Sequence, residues 1–253
     1  MLPPPPPVDD PSPRPDPFDP AERRTYSDGP LALAFMYLFG RKMSQQLGGA
    51  MPTNGESLAS WAGFVNISAQ IMLGRSSRQQ QETVAGVLGS LMPPGIPERF
   101  RAWFPLSKPS LEINAWITTV FFAWLVGPSV VTEERVRLPG SDVAVPMRSG
   151  VKIEKCRYLE ASGCAGMCVN MCKLPTQRFF TEDLGLPLTM TPNFEDLSCQ
   201  MVFGAPPPPT IADDVAHDAS CFSSCSTAAA LGRGGERGPC PKLDSYRGKA
   251  APA

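Results

Sequence analysis

Four cysteines fall within seventeen residues of this chain, in "CRYLEASGCAGMCVNMCKLPTQ" from Cys156 to Gln177. Three of them, Cys164, Cys168 and Cys172, are spaced i, i+4 and i+8. On a helix that spacing advances by about 400° and about 6 Å per step, which lays the three thiols along one drifting stripe. Side chains on successive turns of one helix do not readily meet disulfide geometry. They can converge on a metal or a cluster when Cys156 or Cys199 supplies a fourth ligand. The spacing lacks the paired Cys-x₂₋₄-Cys knuckles of a zinc ribbon and misses the bacterial ferredoxin pattern. The stripe therefore reads as a metal or redox site without naming the metal. Small buried core residues are the other reading of the same cysteines.

The eight cysteines of the chain contrast with its single histidine, His217, which stands among Asp213, Asp214 and Asp218. One histidine excludes a two-His-one-carboxylate iron site and a His₂ or His₃ catalytic zinc site within one chain. Any metal must use thiolates, carboxylates or backbone groups. Among the carboxylates near the thiols, Glu195 and Asp196 in "PNFEDLSC" are the candidate general acid or base, a role that needs a pKa raised by burial. No G-x-G-x-x-G, Walker loop or H-E-x-x-H is present.

The surrounding elements must place these groups. Met1 to Asp28 is rich in proline and reads as a disordered segment (residues 1–28). Residues 29–132 form a helical region. It opens at Gly29-Pro30 and runs to a Gly48-Gly49 stop, with a second helix expected over Glu56 to Leu73. Ser77 and Gln80 suit a capping box, and Val84, Val87, Leu88 and Leu91 follow at helical spacing. "AWITTVFFAWLVGPSVV" is the most apolar run. Its 17 residues fall short of the roughly 20 that cross a bilayer, and Gly127-Pro128 interrupts it. It reads as a buried core helix, and because it is apolar nearly all round it could also line a long cavity or touch a membrane surface.

Residues 133–209 change character. "ERVRLPGSDVAVPM" reads as two strands about a Pro-Gly-Ser-Asp turn and "VKIEK" as a third. "TQRFFTEDLG" reads as a short helix closed by Gly185, and "SCQMVFG" alternates as a strand. Residues 210–253 are a low-complexity tail carrying Cys221, Cys225 and Cys240. The fold class is α+β: a helical N-terminal part packed on a small cysteine-rich C-terminal part with a few short antiparallel strands. A net charge of −1 gives no pull toward nucleic acid, and no nucleic-acid partner is expected. The first twenty residues lack the charged and apolar regions of a signal peptide and are too acidic for an ordinary transit peptide.

The stretches "KCRYLEASGCAGMCVNMCKLPTQRFF", "GLPLTMTPNFEDLSCQMVFG" and the "PPPP" beyond resemble the C-terminal domain of the plastid β-carotene isomerase family, the strigolactone-pathway isomerase and its paralogues. The helices from Tyr26 and "TTVFFAWLVGPSVV" are similar to that family too, so the resemblance extends to about Pro209. It implies an iron-dependent cis/trans isomerase interconverting all-trans- and 9-cis-β-carotene or a related carotenoid, in a plastid. The implied cofactor is iron, as an ion or an iron–sulfur cluster. With histidine nearly absent, its candidate ligands are Cys156, Cys164, Cys168, Cys172 and Cys199, with Cys221 and Cys225 a second pair. The carotenoid would lie in a dry cavity lined by Trp116, Phe121, Phe122 and Trp124, with peripheral contact between protein and plastid membrane. Paralogues keep folds while changing roles, so a non-enzymatic iron- or redox-sensing or carotenoid-binding protein is the alternative, and a structural zinc module a third.

Overall fold

Helix starts along the N-terminal half are set by proline and serine. In the computed structural model, which describes residues 18, 23–209, 222, 225 and 240–243, α1 (Pro30–Gln46) begins on Pro30 and ends before Gly48 and Gly49, both at positive φ. α2 (Trp61–Met72) is capped by the Ser60 hydroxyl, which accepts from Gly63 N; residues 56–60 precede the helix rather than opening it. α3 (Ser77–Leu91) carries the expected capping box one residue earlier, on Ser76 and Gln79. α4 (Ile96–Trp103) follows, then α5 (Lys108–Phe121).

The apolar run is not one helix. α5 ends at Phe121, a four-residue α6 (Ala123–Val126) follows, and Gly127 at φ +85 turns the chain into β1 (Ser129–Val136). Among the described residues no helix is long and apolar enough to cross a membrane.

The sheet is antiparallel in the order β1-β2-β4-β3, with β2 at Val145–Ile153, β3 at Leu188–Pro192 and β4 at Cys199–Phe203. Where three strands are expected from "ERVRLPGSDVAVPM" and "VKIEK", there are two. β2 runs unbroken through Gly150, and a bulge in β1 between Thr132 and Glu134 takes up the register. Gly150 lies under that bulge. A Cβ there would collide with the Thr132 hydroxyl and come within 2.6 Å of Glu134 Cγ. β3 and α7 (Arg157–Ser162) are elements that periodicity did not reveal.

α5 packs across β1, β2 and β4, while α1, α2 and α3 pack on one another; α2 also meets α7. One core runs through both groups, with Ile67, Ile71, Leu111, Val151, Leu159, Val169 and Phe203 fully buried. The architecture is α+β, helices toward the N-terminus and strands toward the C-terminus.

Candidate functional site

The segment carrying the thiol stripe is helical but not uniformly α. α8 (Ala165–Met167) passes into a π-helical stretch, Cys168–Lys173, then α9 (Leu174–Arg178) and a second π-helical stretch, Phe179–Asp183. Pro175 has no N–H to donate to the carbonyl four residues back, and its ring crowds that carbonyl, which favours local widening. Gly185 at φ +71 ends the run as expected.

Four thiols lie within reach of one another's charge around this stretch. Ile153 pairs with Cys199 across β2 and β4, and the Cys156 N–H donates to Leu197 O at 2.7 Å just beyond that pair. Cys156 and Cys199 thus face the π-helical segment that supplies Cys168 and Cys172. Cys156, Cys168 and Cys199 are buried, Cys172 half-buried, and all four are free thiols. Burial pushes the Cys168 thiol well above its ordinary range, reinforced by Cys172, Cys156 and Cys199 and opposed by the Lys173 ammonium. Burial and Cys156 push Cys172 up to about 12. Burial, then Cys156 and Cys172, raise Cys199. Burial also raises Cys156, against backbone N–H groups at the start of α7 that favour its thiolate. Burial above all raises these four thiols, and for Cys168, Cys172 and Cys199 the charge of neighbouring thiols adds to it.

Cys164 belongs elsewhere. It caps α8 in an extended conformation (φ −142°) rather than joining the helix, and its thiol hydrogen-bonds to that of Cys225, with Cys240 close by. Hydrogen bonding to Cys225 and burial together raise the Cys164 pKa well above the usual thiol range. Cys221 lies outside the described residues, as does His217.

As chemistry, four thiols with no competing histidine fit a soft metal such as iron or zinc. In position they are not yet gathered. Among the described residues no three Cys, His, Asp or Glu side chains converge closely enough to hold one metal ion. Two polar side chains that the sequence reading passed over lie against this site. Lys173 is 1% exposed, and its Nζ donates to Gln177 Oε1 at 3.2 Å, while Gln177 Oε1 also accepts from Met190 N at 2.7 Å. Asn170, fully buried, donates to Gln80 Oε1 at 2.9 Å and so ties the π-helical stretch to α3. Neither belongs to a recognised motif; a lysine and an asparagine placed between cysteines in a predicted buried helix were the available signal.

Arg157, beside Cys156, is a third. Its Nη1 and Nη2 donate to the two Asp28 oxygens at 2.7 Å each, and Nη1 also donates to Trp124 O at 2.9 Å. Its guanidinium lies 4.4 Å over the Tyr26 ring and 3.9 Å over the Trp61 ring. The residue after Cys156 is therefore fixed from four sides.

Glu195 and Asp196 are exposed in the β3–β4 loop. The Asp196 carboxylate accepts from Ser198 N at 2.8 Å, and Glu195 N donates to Asn193 Oδ1 at 2.8 Å, so both positions build the turn. The aromatic residues of the apolar run do not enclose a common cavity. Trp124 is buried against Phe35, Phe39 and Phe64 at 5.2–6.2 Å between ring centroids. Phe122 is half-buried, and Trp116 (55% exposed) and Phe121 (40%) face solvent with Ile113 and Val120. A surface groove of about 520 Å³ lined by Gln46, Arg75, Gln79 and Glu82 is polar and unlike a polyene site.

Residues 124–212, which contain the four-thiol group, match the family described as beta-carotene isomerase D27-like, C-terminal. Over these residues the chain is similar to the D27-like C-terminal family. It is 42% identical over 169 residues to the chloroplastic beta-carotene isomerase D27 of Arabidopsis thaliana, covering 67% of this chain and 61% of that protein. It is 40% identical over 150 residues to the protein of the same name from Medicago truncatula, covering 59% of this chain and 57% of that protein. The chain thus spans about three-fifths of the length of these relatives. No solved structure matches it. The D27-like domain begins inside α6 and takes in the whole sheet, α7 to α9 and the four thiols that β2, β4 and the π-helical stretch bring together.

Proposed function

We propose that the protein is a carotenoid cis/trans isomerase acting in the plastid. Its substrate would be all-trans-β-carotene interconverting with the 9-cis isomer, or a related carotenoid, supplying a strigolactone-type pathway. The observation that carries this reading is that four thiols lie within reach of one another's charge, shielded from water, inside the stretch that matches the D27-like family. Both named relatives are chloroplastic beta-carotene isomerases, which supports the substrate class and the compartment.

Cys156, Cys168, Cys172 and Cys199 are the residues that would hold iron. Bound iron would supply one-electron exchange with the polyene, lowering the order of the bond that must rotate. The thiols' own state supports a cation there. Buried and mutually repelled, they stay protonated near neutrality, so they are poor free nucleophiles, and a metal is what would convert them to thiolates. Burial keeps water from the group, and the Lys173 ammonium compensates part of the negative charge that four thiolates would carry. The exposed face of Ile113, Trp116, Val120 and Phe121 offers an apolar surface to a lipid-dissolved substrate and to peripheral contact with a plastid membrane.

The test is anaerobic reconstitution with ferrous iron, followed by incubation with all-trans-β-carotene in micelles and chromatography of the isomers. Iron-loaded protein is expected to produce the cis isomer. Cys168→Ser and Cys199→Ser are expected to lose iron and at least about 100-fold in rate together. Full isomerisation by chelator-treated, iron-free protein overturns the iron assignment; iron uptake without isomerisation overturns the enzymatic one.

A further inference from the structure

Cys225 and Cys240 of the tail form, with Cys164, a second thiol group, separate from the four described above. Cys164, Cys225 and Cys240 are 1%, 2% and 1% exposed, so three polarisable side chains from distant parts of the chain are sealed into one apolar place. The Cys164 and Cys225 thiols are in hydrogen-bonding contact. The Cys240 sulfur closes the group from the side of α8: a Cβ added to Gly166 would stand 3.2 Å from Cys240 Sγ and 3.1 Å from Lys242 Cβ. Gly166 is therefore the residue that lets the tail lie this close to the helix two positions beyond Cys164.

The tail is seated by identifiable contacts. Phe222 packs between Phe18 (4.6 Å) and Phe194 (6.0 Å), and Cys225 N donates to Phe222 O at 3.0 Å. Further on, residues Cys240 to Leu243 make a single helical turn whose Lys242 carbonyl accepts from Asn170 Nδ2 at 3.0 Å and from the Ser77 hydroxyl. Lys242 Nζ donates to Arg75 O at 3.4 Å. One point of the tail thus rests on Phe18 and Phe194, another grips the start of α3 and the π-helical stretch, and Cys225 lies between them in sequence, against Cys164.

We infer that Cys164 and Cys225 are a reversible dithiol–disulfide pair that staples the tail to the D27-like domain. The reaction is exchange with a disulfide of the glutathione or thioredoxin class. The Cys225 thiolate attacks one sulfur of that disulfide and forms a mixed disulfide as the first thiol leaves. The Cys164 thiolate then attacks the Cys225 sulfur and releases the second. Two protein thiols are oxidised, the incoming disulfide is reduced to two thiols, and two protons go with the two electrons. Cys225 is taken as the first thiol to react and Cys164, in extended backbone at the start of α8, as the one that resolves the mixed disulfide. Cys240 stands by as a bystander of the pair. The device does not depend on isomerisation, and its readout is covalent.

The experiment uses the full chain equilibrated in reducing and in oxidising glutathione buffers, quenched with an alkylating reagent and mapped by peptide mass spectrometry without reduction. A peptide joining Cys164 to Cys225 is expected to rise at least about tenfold from the reducing to the oxidising buffer and to disappear on return to dithiol. Cys225→Ser should abolish it, and Cys240→Ser and Cys156→Ser should leave it in place. Because Cys225→Ser could disturb the tail's seat, unaltered protein in both buffers is also digested with a protease: cleavage in the tail should slow at least about fivefold on oxidation. A dominant Cys225–Cys240 or Cys221–Cys225 link overturns the assignment, as does the absence of any link at the most oxidising ratio. So does one equivalent of metal that is lost specifically in Cys225→Ser.

Discussion

Replacing Arg157 with Met removes the strut behind Cys156 while keeping most of its apolar stem. The guanidinium makes two 2.7 Å bonds to Asp28, one to the Trp124 carbonyl, and lies between the Tyr26 and Trp61 rings. Its side chain is 5% exposed and that of Asp28 is 18% exposed. Breaking a buried ion pair by removing one partner costs about 3–5 kcal/mol. Asp28 keeps some access to water and recovers part of that cost, whereas the Trp124 carbonyl and the two ring contacts are lost, worth about 0.5–2 kcal/mol for the cation–π contribution. The expected loss is about 3 kcal/mol. With an m-value of about 2 kcal/mol/M in urea, the midpoint should fall by about 1.5 M, read from the fluorescence of Trp61 and Trp124. Arg157→Lys keeps the charge but not the fork and should lose about 1–2 kcal/mol. In a double-mutant cycle with Asp28→Asn, the two changes should be non-additive by about 2 kcal/mol. Because Arg157 starts α7 directly after Cys156, thiol reagent should also reach Cys156 faster in Arg157→Met under native conditions. Losses below about 1 kcal/mol in both single variants, or strict additivity, would refute the strut.

Two further outcomes follow from the thiols and the sheet. In reduced, chelator-treated protein the buried cysteines have folded-state pKa values above their unfolded ones. The stability they contribute is therefore complete below about pH 8.5 and is lost as pH rises, at about 1.4 kcal/mol per pH unit for each thiol ionised only when unfolded. Urea midpoints between pH 7 and pH 10 check this, and a midpoint that rises over that range contradicts it. Gly150→Ala drives a methyl into Thr132 and Glu134 under the β1 bulge and should cost about 2 kcal/mol in the same assay, where a strand glycine with room for a methyl would gain from alanine.

How much the sequence made legible depends on whether a signal is local. Proline at helix starts, glycine at helix ends and alternation in "SCQMVFG" are local, and α1 and β4 lie where those signals put them. The capping box was displaced by one residue because Ser76 and Ser77 are adjacent and equally suited to cap. The division of the apolar run into α5, α6 and β1 was hidden because its residues suit a buried helix and a buried strand alike, and only Gly127-Pro128 hinted at the change. Arg157 and Lys173 were not legible. Asp28 and two aromatic rings reach Arg157 only through tertiary packing, Lys173 is buried although its partner Gln177 is only four residues on, and a charged residue in a sequence defaults to the surface.

The cysteine stripe marks the boundary of such reading. Equal i, i+4 spacing implies equal roles only while the helix winds at 3.6 residues per turn. Here Cys164 stands in extended backbone before the helix, and Cys168 and Cys172 belong to a stretch bonded i to i+5. That wider winding holds more residues per turn, so residues four apart no longer complete one turn, and the two thiols present a broad face instead of a narrow seam. A broad face is what two sulfurs arriving from a sheet edge can meet, and Cys156 and Cys199 arrive together because Ile153 pairs with Cys199. Cys164, left out of the winding, is turned toward the tail. One line of evenly spaced cysteines thus divides into two groups with separate chemistry: Gly163, left-handed at the end of α7, sets Cys164 outside the winding, and the π-helical stretch ahead of Pro175 carries Cys168 and Cys172.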